Sequence, residues 1–247
     1  MRQLDLLSGD GPLSVTDQMG FSVTFKRSAQ RRTLEIIIKE GEVQLMLPRS
    51  VSDKEGMAFV REKRDWILRT LAKQQNVLKE IPVKQYCEGE LFSYLGRDYP
   101  LRLFTTTQPS VQFSNGQFYV GVRAGTPERR AAAAKNLLWK WYQERALEVL
   151  SEKSHAFAAR VNRKVNEIKL RRTITKWGHC TADGVIQYNW VIIAAPEPVV
   201  NYLVAHEVSH LVYRSHGVRF WGQVEKLFPG YKSHQTWLRV NGHRLVI

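Results

Sequence analysis

The residues His206-Glu207-Val208-Ser209-His210 constrain this chain more than any other feature, because they place two histidines one helical turn apart. Apolar residues recur with helical spacing from Val199 to Val212, after Pro196 and Pro198, which predicts a helix around the five residues. Side chains four residues apart share a helix face, so both imidazoles can bind one metal ion. Glu207 projects about 100° away, where it can hold a water without binding the metal.

A catalytic zinc ion usually has three protein ligands, so the pentapeptide needs a partner. His216 lies six residues after His210 in a predicted turn, Ser215-His216-Gly217, which can bring it back to the metal. The alternative is Glu225, which falls in a helix predicted over Val218–Phe228 and would bind as the glutamate of gluzincins does. Its position near Trp221 favours a supporting role, but the spacing leaves both ligands open.

A metzincin is excluded by two features of the sequence. That class has a glycine midway between its second and third histidines, and Tyr213 occupies this position. It also needs a methionine turn downstream, and no methionine follows Met57.

The chain carries a formal net charge of +14, and eight lysines and arginines fall within residues 153–176. Such a stretch is either a solvated basic surface or a site for an anionic substrate or nucleic acid. Arg171, Arg172 and Lys176 come just before the predicted metal helix in the sequence. We therefore take these three residues as candidates for substrate binding.

A short N-terminal extension over residues 1–19 precedes a β-rich lobe over residues 20–124. Alternation of apolar and polar residues predicts the strands of this lobe, and Asn115-Gly116 between two apolar runs predicts a tight hairpin. Its one predicted helix begins near Ser52 and ends before Pro82.

A second lobe over residues 125–247 begins at a change in composition. Thr126-Pro127 is typical of a helix start, and the helical pattern that follows extends to about Ala159. Strands are predicted over Ile168–Ile174 and Val185–Ile193, ahead of the metal helix. The two lobes together give an α+β fold class.

Several protein classes are excluded by composition. Two cysteines, Cys87 and Cys180, cannot form a disulfide framework or a paired zinc-binding spacing. The best apolar run, Trp190–Ala195, is far shorter than the roughly 20 residues of a membrane-spanning helix. Asp5 and Asp10 interrupt an N-terminus that has no long apolar stretch, so we expect no signal peptide, a cytoplasmic location and no membrane partner.

The chain from about residue 20 to 245 resembles the YgjP-like family of metal-dependent hydrolases, which are relatives of SprT-like and other zincin-fold metallopeptidases. The matching stretches of the C-terminal lobe are Lys176-Trp177-Gly178-His179-Cys180, Ile186–Trp190, the His206–His210 pentapeptide, His216 with Phe220-Trp221, Pro229-Gly230-Tyr231-Lys232 and Trp237-Leu238. The N-terminal lobe matches at Lys26–Arg32, Leu47-Pro48 and Phe59–Leu71.

This resemblance implies a zincin-like, minimal gluzincin-type catalytic lobe around the metal helix. It also implies zinc bound by His206, His210 and His216, with Glu207 as catalytic acid and base. One departure is His179, where the family usually has a small serine. His179 is either a substrate contact or a surface residue, and the sequence favours neither.

Other candidate residues rest on weaker signals. Asn189 ends the strand before the metal helix, and such a strand either pairs with an extended substrate or belongs to the core. Tyr213, Tyr231 and His234 carry groups that can donate a hydrogen bond to a developing oxyanion. Each of them is more often structural.

The expected reaction is hydrolysis, in which a divalent metal lowers the pKa of its water toward about 7 and Glu207 accepts the proton. Zinc suits a set of imidazole ligands, while Mg²⁺ or Mn²⁺ can serve with a phosphate substrate. The sequence favours a metallopeptidase acting on an extended or anionic polypeptide. One alternative is a pyrophosphohydrolase that splits a nucleoside triphosphate such as UTP into monophosphate and pyrophosphate. A second is a DNA-associated SprT-like protease, although no DNA-reading motif is present.

Overall fold

The computed structural model describes residues 14–16, 19–39, 41–173 and 176–247. The chain divides into two compact units, Met1–Glu80 and Ile81–Ile247, each with its own hydrophobic core. The fold is α+β, as predicted. The division falls after Glu80, whereas the sequence analysis placed the lobe boundary at 124/125. The reason is that Phe92 and Phe118, from the β-rich region, share one core with Val204 of the predicted metal helix.

The described residues of the first unit form one four-stranded sheet and two helices. The strand order is β1-β2-β4-β3, and β3 and β4 pair antiparallel. Part of the predicted N-terminal extension belongs to this sheet, because β1 pairs with β2; the rest of that extension, apart from Met19, lies outside the described residues. The elements are β1 (Ser14–Thr16), β2 (Ser22–Ser28), β3 (Glu35–Lys39), β4 (Glu42–Pro48), α1 (Asp53–Glu62) and α2 (Arg64–Glu80).

The single helix predicted for this unit is two helices in the structure. Ser52 begins α1 with a reciprocal capping box to Glu55, as its sequence position predicts. At Lys63 the backbone leaves helical geometry, with φ −92° and ψ 6°. The apolar spacing from Val60 to Ile67 nearly preserves helical periodicity, so the sequence pattern did not reveal this break.

The second unit begins with a four-stranded sheet of order β5-β6-β8-β7. The predicted hairpin is confirmed: Asn115 and Gly116 both have positive φ, 49° and 68°, as a two-residue turn between twisted strands requires. Phe92, Leu101 and Phe118 fill the buried face of the sheet. The strands are β5 (Leu91–Tyr94), β6 (Arg97–Thr105), β7 (Ser110–Ser114) and β8 (Gln117–Val122).

The helix α3 (Pro127–Ala159) connects this sheet to the rest of the second unit. Thr126 caps it by accepting a hydrogen bond from the backbone N–H of Arg129, and Pro127 occupies the first turn, as predicted. Its buried stripe includes Leu138 and Tyr142, and the helix contacts β8 and the elements that follow it.

A small sheet of order β10-β11-β9 follows, formed by β9 (Glu167–Arg171), β10 (Gly178–Cys180) and β11 (Val185–Asn189). The β11 strand runs parallel to β9 and antiparallel to β10. The strand predicted through Ile193 ends at Asn189, because the Asn189 side chain accepts the backbone N–H of Val191 and begins a 3₁₀ helix over Trp190–Ala194. Ile174, predicted to end β9, lies outside the described residues.

Three helices complete the second unit: α4 (Glu197–Ser209), α5 (Val218–Leu227) and α6 (Tyr231–Asn241). Both α5 and α6 pack against α4, and α4 packs against α3 and β10. The sequence analysis did not predict α6, because its polar composition obscures the few apolar positions that it buries. Within the described residues, no helix is both long enough and apolar enough to cross a membrane.

Candidate metal centre

The C-terminal end of α4 carries the pentapeptide. Apolar residues bury the helix on almost every side, from Val199 to Val208. His206 and Glu207 lie in its last turn, and His210 is the C-cap residue, still in right-handed helical geometry. His206 and His210 therefore lie one helical turn apart, as predicted, and their ring centroids are 5.0 Å apart.

Three imidazoles meet at this end of the helix. One ring nitrogen from each of His206, His210 and His216 lies within 4.8 Å of the others. The Nε2 atoms of His206 and His216 are 3.2 Å apart. Two nitrogens bound to one tetrahedral zinc ion at about 2.0–2.1 Å would be about 3.3 Å apart, so this pair has the spacing of zinc ligands.

The rings of His210 and His216 are oriented by contacts with their surroundings. Nδ1 of His210 contacts the backbone oxygen of Tyr213 at 3.1 Å, and a proton held there leaves the Nε2 lone pair of His210 free. His216 lies on the exposed turn before α5, where its ring stacks on Trp221 at 5.7 Å and meets Phe220 at 4.7 Å. Among the described residues, Nδ1 of His206 has no hydrogen-bond partner.

Electrostatics keep two of these rings neutral, which is the form that binds a metal. Burial, together with the neighbouring His210 and His216, lowers the pKa of His206 to about 3. Burial also lowers the pKa of His210. Neutral imidazoles offer lone pairs to a cation, so the chemistry and the spacing of these residues fit a divalent metal.

Glu207 lies beside the cluster with only 3% of its surface exposed. Burial raises the pKa of this carboxyl to about 8, and the positive charge of Lys176 opposes the rise. Its Oε2 atom has no hydrogen-bond partner within the described part of the chain. A carboxyl with this pKa is mostly protonated near neutral pH, so it can accept a proton from a water held there once a nearby positive charge, that of Lys176 or of a bound metal, favours its ionised form.

Gly178 of β10 provides the space that this carboxyl occupies. A Cβ atom placed on Gly178 would lie 2.5 Å from Cδ of Glu207 and 2.7 Å from its Cγ, which is closer than real Cβ contacts. The strand backbone therefore packs directly on the acid, and only glycine permits this approach.

The histidines and Glu207 line a cavity of about 300 Å³. Lys176 and His179 line it too, so the structure brings these two predicted residues next to the three histidines. Sequence reasoning missed Arg214, whose guanidinium donates to the backbone oxygens of Thr181 and Ala182 at 2.6 Å each and so ties the loop after α4 to the loop after β10.

Cys180 also lines the cavity, but it is not one of the three clustered ligands. Burial raises the pKa of its thiol to about 11, and the charge of Glu207 contributes. Because its sulfur is not among the atoms that converge with the three imidazoles, Cys180 forms part of the cavity wall.

Arg171 and Asn189 line an adjacent cavity rather than the one with the histidines. The Asn189 amide also donates to the backbone oxygen of Thr173 at 2.9 Å. Arg172 lies apart from both cavities, with its guanidinium 4.3 Å from the ring centre of Trp139. The cation–π contact turns Arg172 away from the cluster, which a charge pattern cannot reveal.

None of the remaining candidates, all of them described residues, lines the cavity that contains the histidines. Tyr231 is buried, and its ring stacks between Trp221 at 5.3 Å and Tyr202 at 6.1 Å. The Tyr213 backbone, rather than its hydroxyl, contacts the cluster. His234 packs on Phe228, and the Glu225 carboxylate accepts the N–H of Gly230 in the turn before α6.

Comparison with known proteins gives one family match. The family model described as YgjP-like, metallopeptidase domain, matches residues 32–241, which include the whole cluster. No curated protein matches the chain. A similar solved structure is the metallopeptidase zymogen abylysin of Pyrococcus abyssi, with 21% identity, a TM-score of 0.35, and coverage of 41% of this chain and 99% of that chain.

Proposed function

We propose that this chain, which belongs to the YgjP-like metallopeptidase family, hydrolyses peptide bonds with a zinc ion held by His206, His210 and His216 and with Glu207 as general base. The family membership confirms the resemblance predicted from the sequence and makes the chain a metal-dependent hydrolase. The observation that carries the finer proposal is the convergence of three imidazole nitrogens within 4.8 Å beside a buried carboxyl.

The ligand set favours zinc over magnesium or manganese. All three clustered donors are imidazole nitrogens, and no carboxylate of the described residues joins them. Imidazole suits zinc, whereas magnesium and manganese prefer oxygen ligands. A zinc ion held there supplies a Lewis acid that polarises a carbonyl and lowers the pKa of water toward about 7.

Glu207 then carries the proton transfers. Its free Oε2 accepts a proton from the attacking water, and the same carboxyl delivers that proton to the departing amine. Gly178 fixes the carboxyl by contact, while the Lys176 charge favours its ionised form.

The proposal is tested by incubating the chain with an unstructured protein such as casein. We expect fragments to form with zinc, to cease when a chelator removes the metal, and to return when zinc is added back. A nucleoside triphosphate and duplex DNA are offered in parallel. Release of pyrophosphate without casein cleavage would overturn the peptidase proposal in favour of the nucleotide alternative, and cleavage that requires DNA would favour the DNA-associated one.

Replacement of Gly178 by alanine tests the packing on Glu207. Because the new Cβ would displace the carboxyl, we expect kcat/KM for casein to fall by roughly 10²-fold, the usual cost of a misplaced catalytic group. Zinc content, measured by elemental analysis, should stay at the wild-type level, since Gly178 is not among the clustered ligands.

Gly222→Ala is the matched control for this change. Gly222 lies in α5, and no atom of the described residues stands within 4 Å of a Cβ placed there. This variant should keep wild-type activity. Wild-type kcat/KM in Gly178→Ala would show that the carboxyl position does not limit the reaction, and a thermal unfolding curve separates lost activity from lost fold.

A further inference from the structure

A second cavity of about 190 Å³ adjoins the one that contains the histidines. We call it the side cavity and define it by Arg171, Lys176, Trp177, Gln187 and Asn189. The two cavities share Lys176, Gly178 and His179 in their walls. A substrate bound at the histidines would therefore lie next to the side cavity.

The side cavity is lined by two cations, Arg171 and Lys176. Within the described part of the chain, no aspartate or glutamate lines it. Neither cation forms an ion pair with any residue that the structure describes. Lys169, on the same face of β9, differs because Glu167 neutralises it at 2.9 Å.

The other walls suit a short polar side chain. Trp177 adds a partly buried aromatic ring, and Gln187 adds a partly buried amide with no hydrogen bond to the described residues. The Asn189 amide is already used, because it donates to Thr173 and its oxygen accepts from Val191. Arg171 and the Gln187 amide, with Lys176 in the wall shared with the cavity of Glu207, can together bind a carboxylate by charge-assisted hydrogen bonds.

We propose that the side cavity is a substrate subsite that receives an aspartate or glutamate side chain of the polypeptide, close to the cleaved bond. This inference rests on the proposed function and names its substrate class, an acidic polypeptide segment. Because the cavities share a wall, and an extended chain advances about 3.3 Å per residue, the acidic residue lies about one to three residues from the cut.

The test uses quenched fluorescent peptides that differ only by glutamate or glutamine at one position, moved stepwise along the peptide. We expect kcat/KM to favour glutamate by roughly 3- to 30-fold at one position near the cut, the range for charged contacts at partly open sites. This preference should shrink at 1 M salt, where screening acts over about 3 Å.

Arg171 is the residue to change, because it lines the side cavity and not the cavity with the histidines. Arg171→Gln should remove most of the glutamate preference, and Arg171→Glu should reverse it in favour of a lysine peptide. A purely structural role for Arg171 would not reverse the preference. The matched control, Lys169→Gln, removes a cation that Glu167 already neutralises and should leave the preference unchanged.

Equal cleavage of glutamate and glutamine peptides at every position would overturn this inference and leave the peptidase proposal intact. A preference that survives Arg171→Glu would also overturn it, because the selectivity would then arise elsewhere. Failure to cleave any peptide, together with intact casein, would overturn the proposed function and this inference with it.

Discussion

Replacement of Glu207 by glutamine is expected to reduce kcat/KM for casein by 10²- to 10⁴-fold, the usual contribution of a general base. The amide has the shape of the carboxyl, so it fits the space against Gly178, where a larger group would not. It cannot accept a proton from water. Because the histidines are unchanged, elemental analysis should find wild-type zinc content, so the loss falls on proton transfer alone.

Glu197→Gln is the matched control for this change. Glu197 lies at the start of the same helix, where its carboxylate pairs with Lys153 at 2.7 Å and is half exposed. An exposed pair of this kind contributes little to stability, so this variant should keep its activity. Wild-type turnover in Glu207→Gln would remove Glu207 from the mechanism.

The sequence predicted the parts of the site that depend on local spacing. Helical periodicity placed His206, Glu207 and His210 on one helix, and the structure forms α4 over Glu197–Ser209 with His210 as its cap. The turn that brings His216 to the cluster was also a local prediction. The His216 ring packs against Phe220 and Trp221, which follow it closely in the sequence.

The parts that the sequence missed depend on contacts between distant segments. Gly178 is an ordinary glycine until β10 pairs with β11 and places its backbone on Glu207. Arg214 follows the motif directly, yet its role arises from two carbonyls more than thirty residues earlier in the chain. Neither contact has a periodicity or a spacing by which it could be recognised.

The basic segment shows why charge composition alone did not identify the substrate contacts. Arg171 and Arg172 are adjacent in the sequence. Successive side chains along a strand point to opposite faces, so the two residues have different surroundings. Arg171 lines the side cavity, while Arg172 covers Trp139. Lys169 is neutralised by Glu167. Only some of the lysines and arginines within residues 153–176 are therefore available to bind a substrate.

Replacement of either helix histidine by alanine is expected to remove nearly all the zinc. His206→Ala and His210→Ala each leave two of the three clustered donors, and two imidazoles cannot close a catalytic zinc site that normally has three protein ligands. Elemental analysis should find close to one zinc per wild-type chain and almost none in these variants. His216→Ala should lose zinc as well, because it removes the third clustered donor.

The thermal stability of the folded chain gives an independent measure of zinc binding at this site. A ligand at about 100 times its Kd stabilises the folded state by about 2.7 kcal/mol, or roughly 5–11 °C in Tm for a unit of this size. Wild-type protein should show that shift when zinc is added, and the histidine variants should show none. Because His206 also packs against Phe220, its variant is compared with metal-free wild type, so that a packing loss is not mistaken for lost zinc binding.

His155→Ala provides the control for histidine loss in general. His155 lies exposed on α3, where its ring contacts the Ser151 backbone oxygen, and it is not one of the clustered ligands. It should keep both its zinc and the zinc-dependent rise in Tm. Full zinc retention by His206→Ala and His210→Ala would mean that the metal binds elsewhere, and the three converging imidazoles would then be a packing arrangement without a catalytic role.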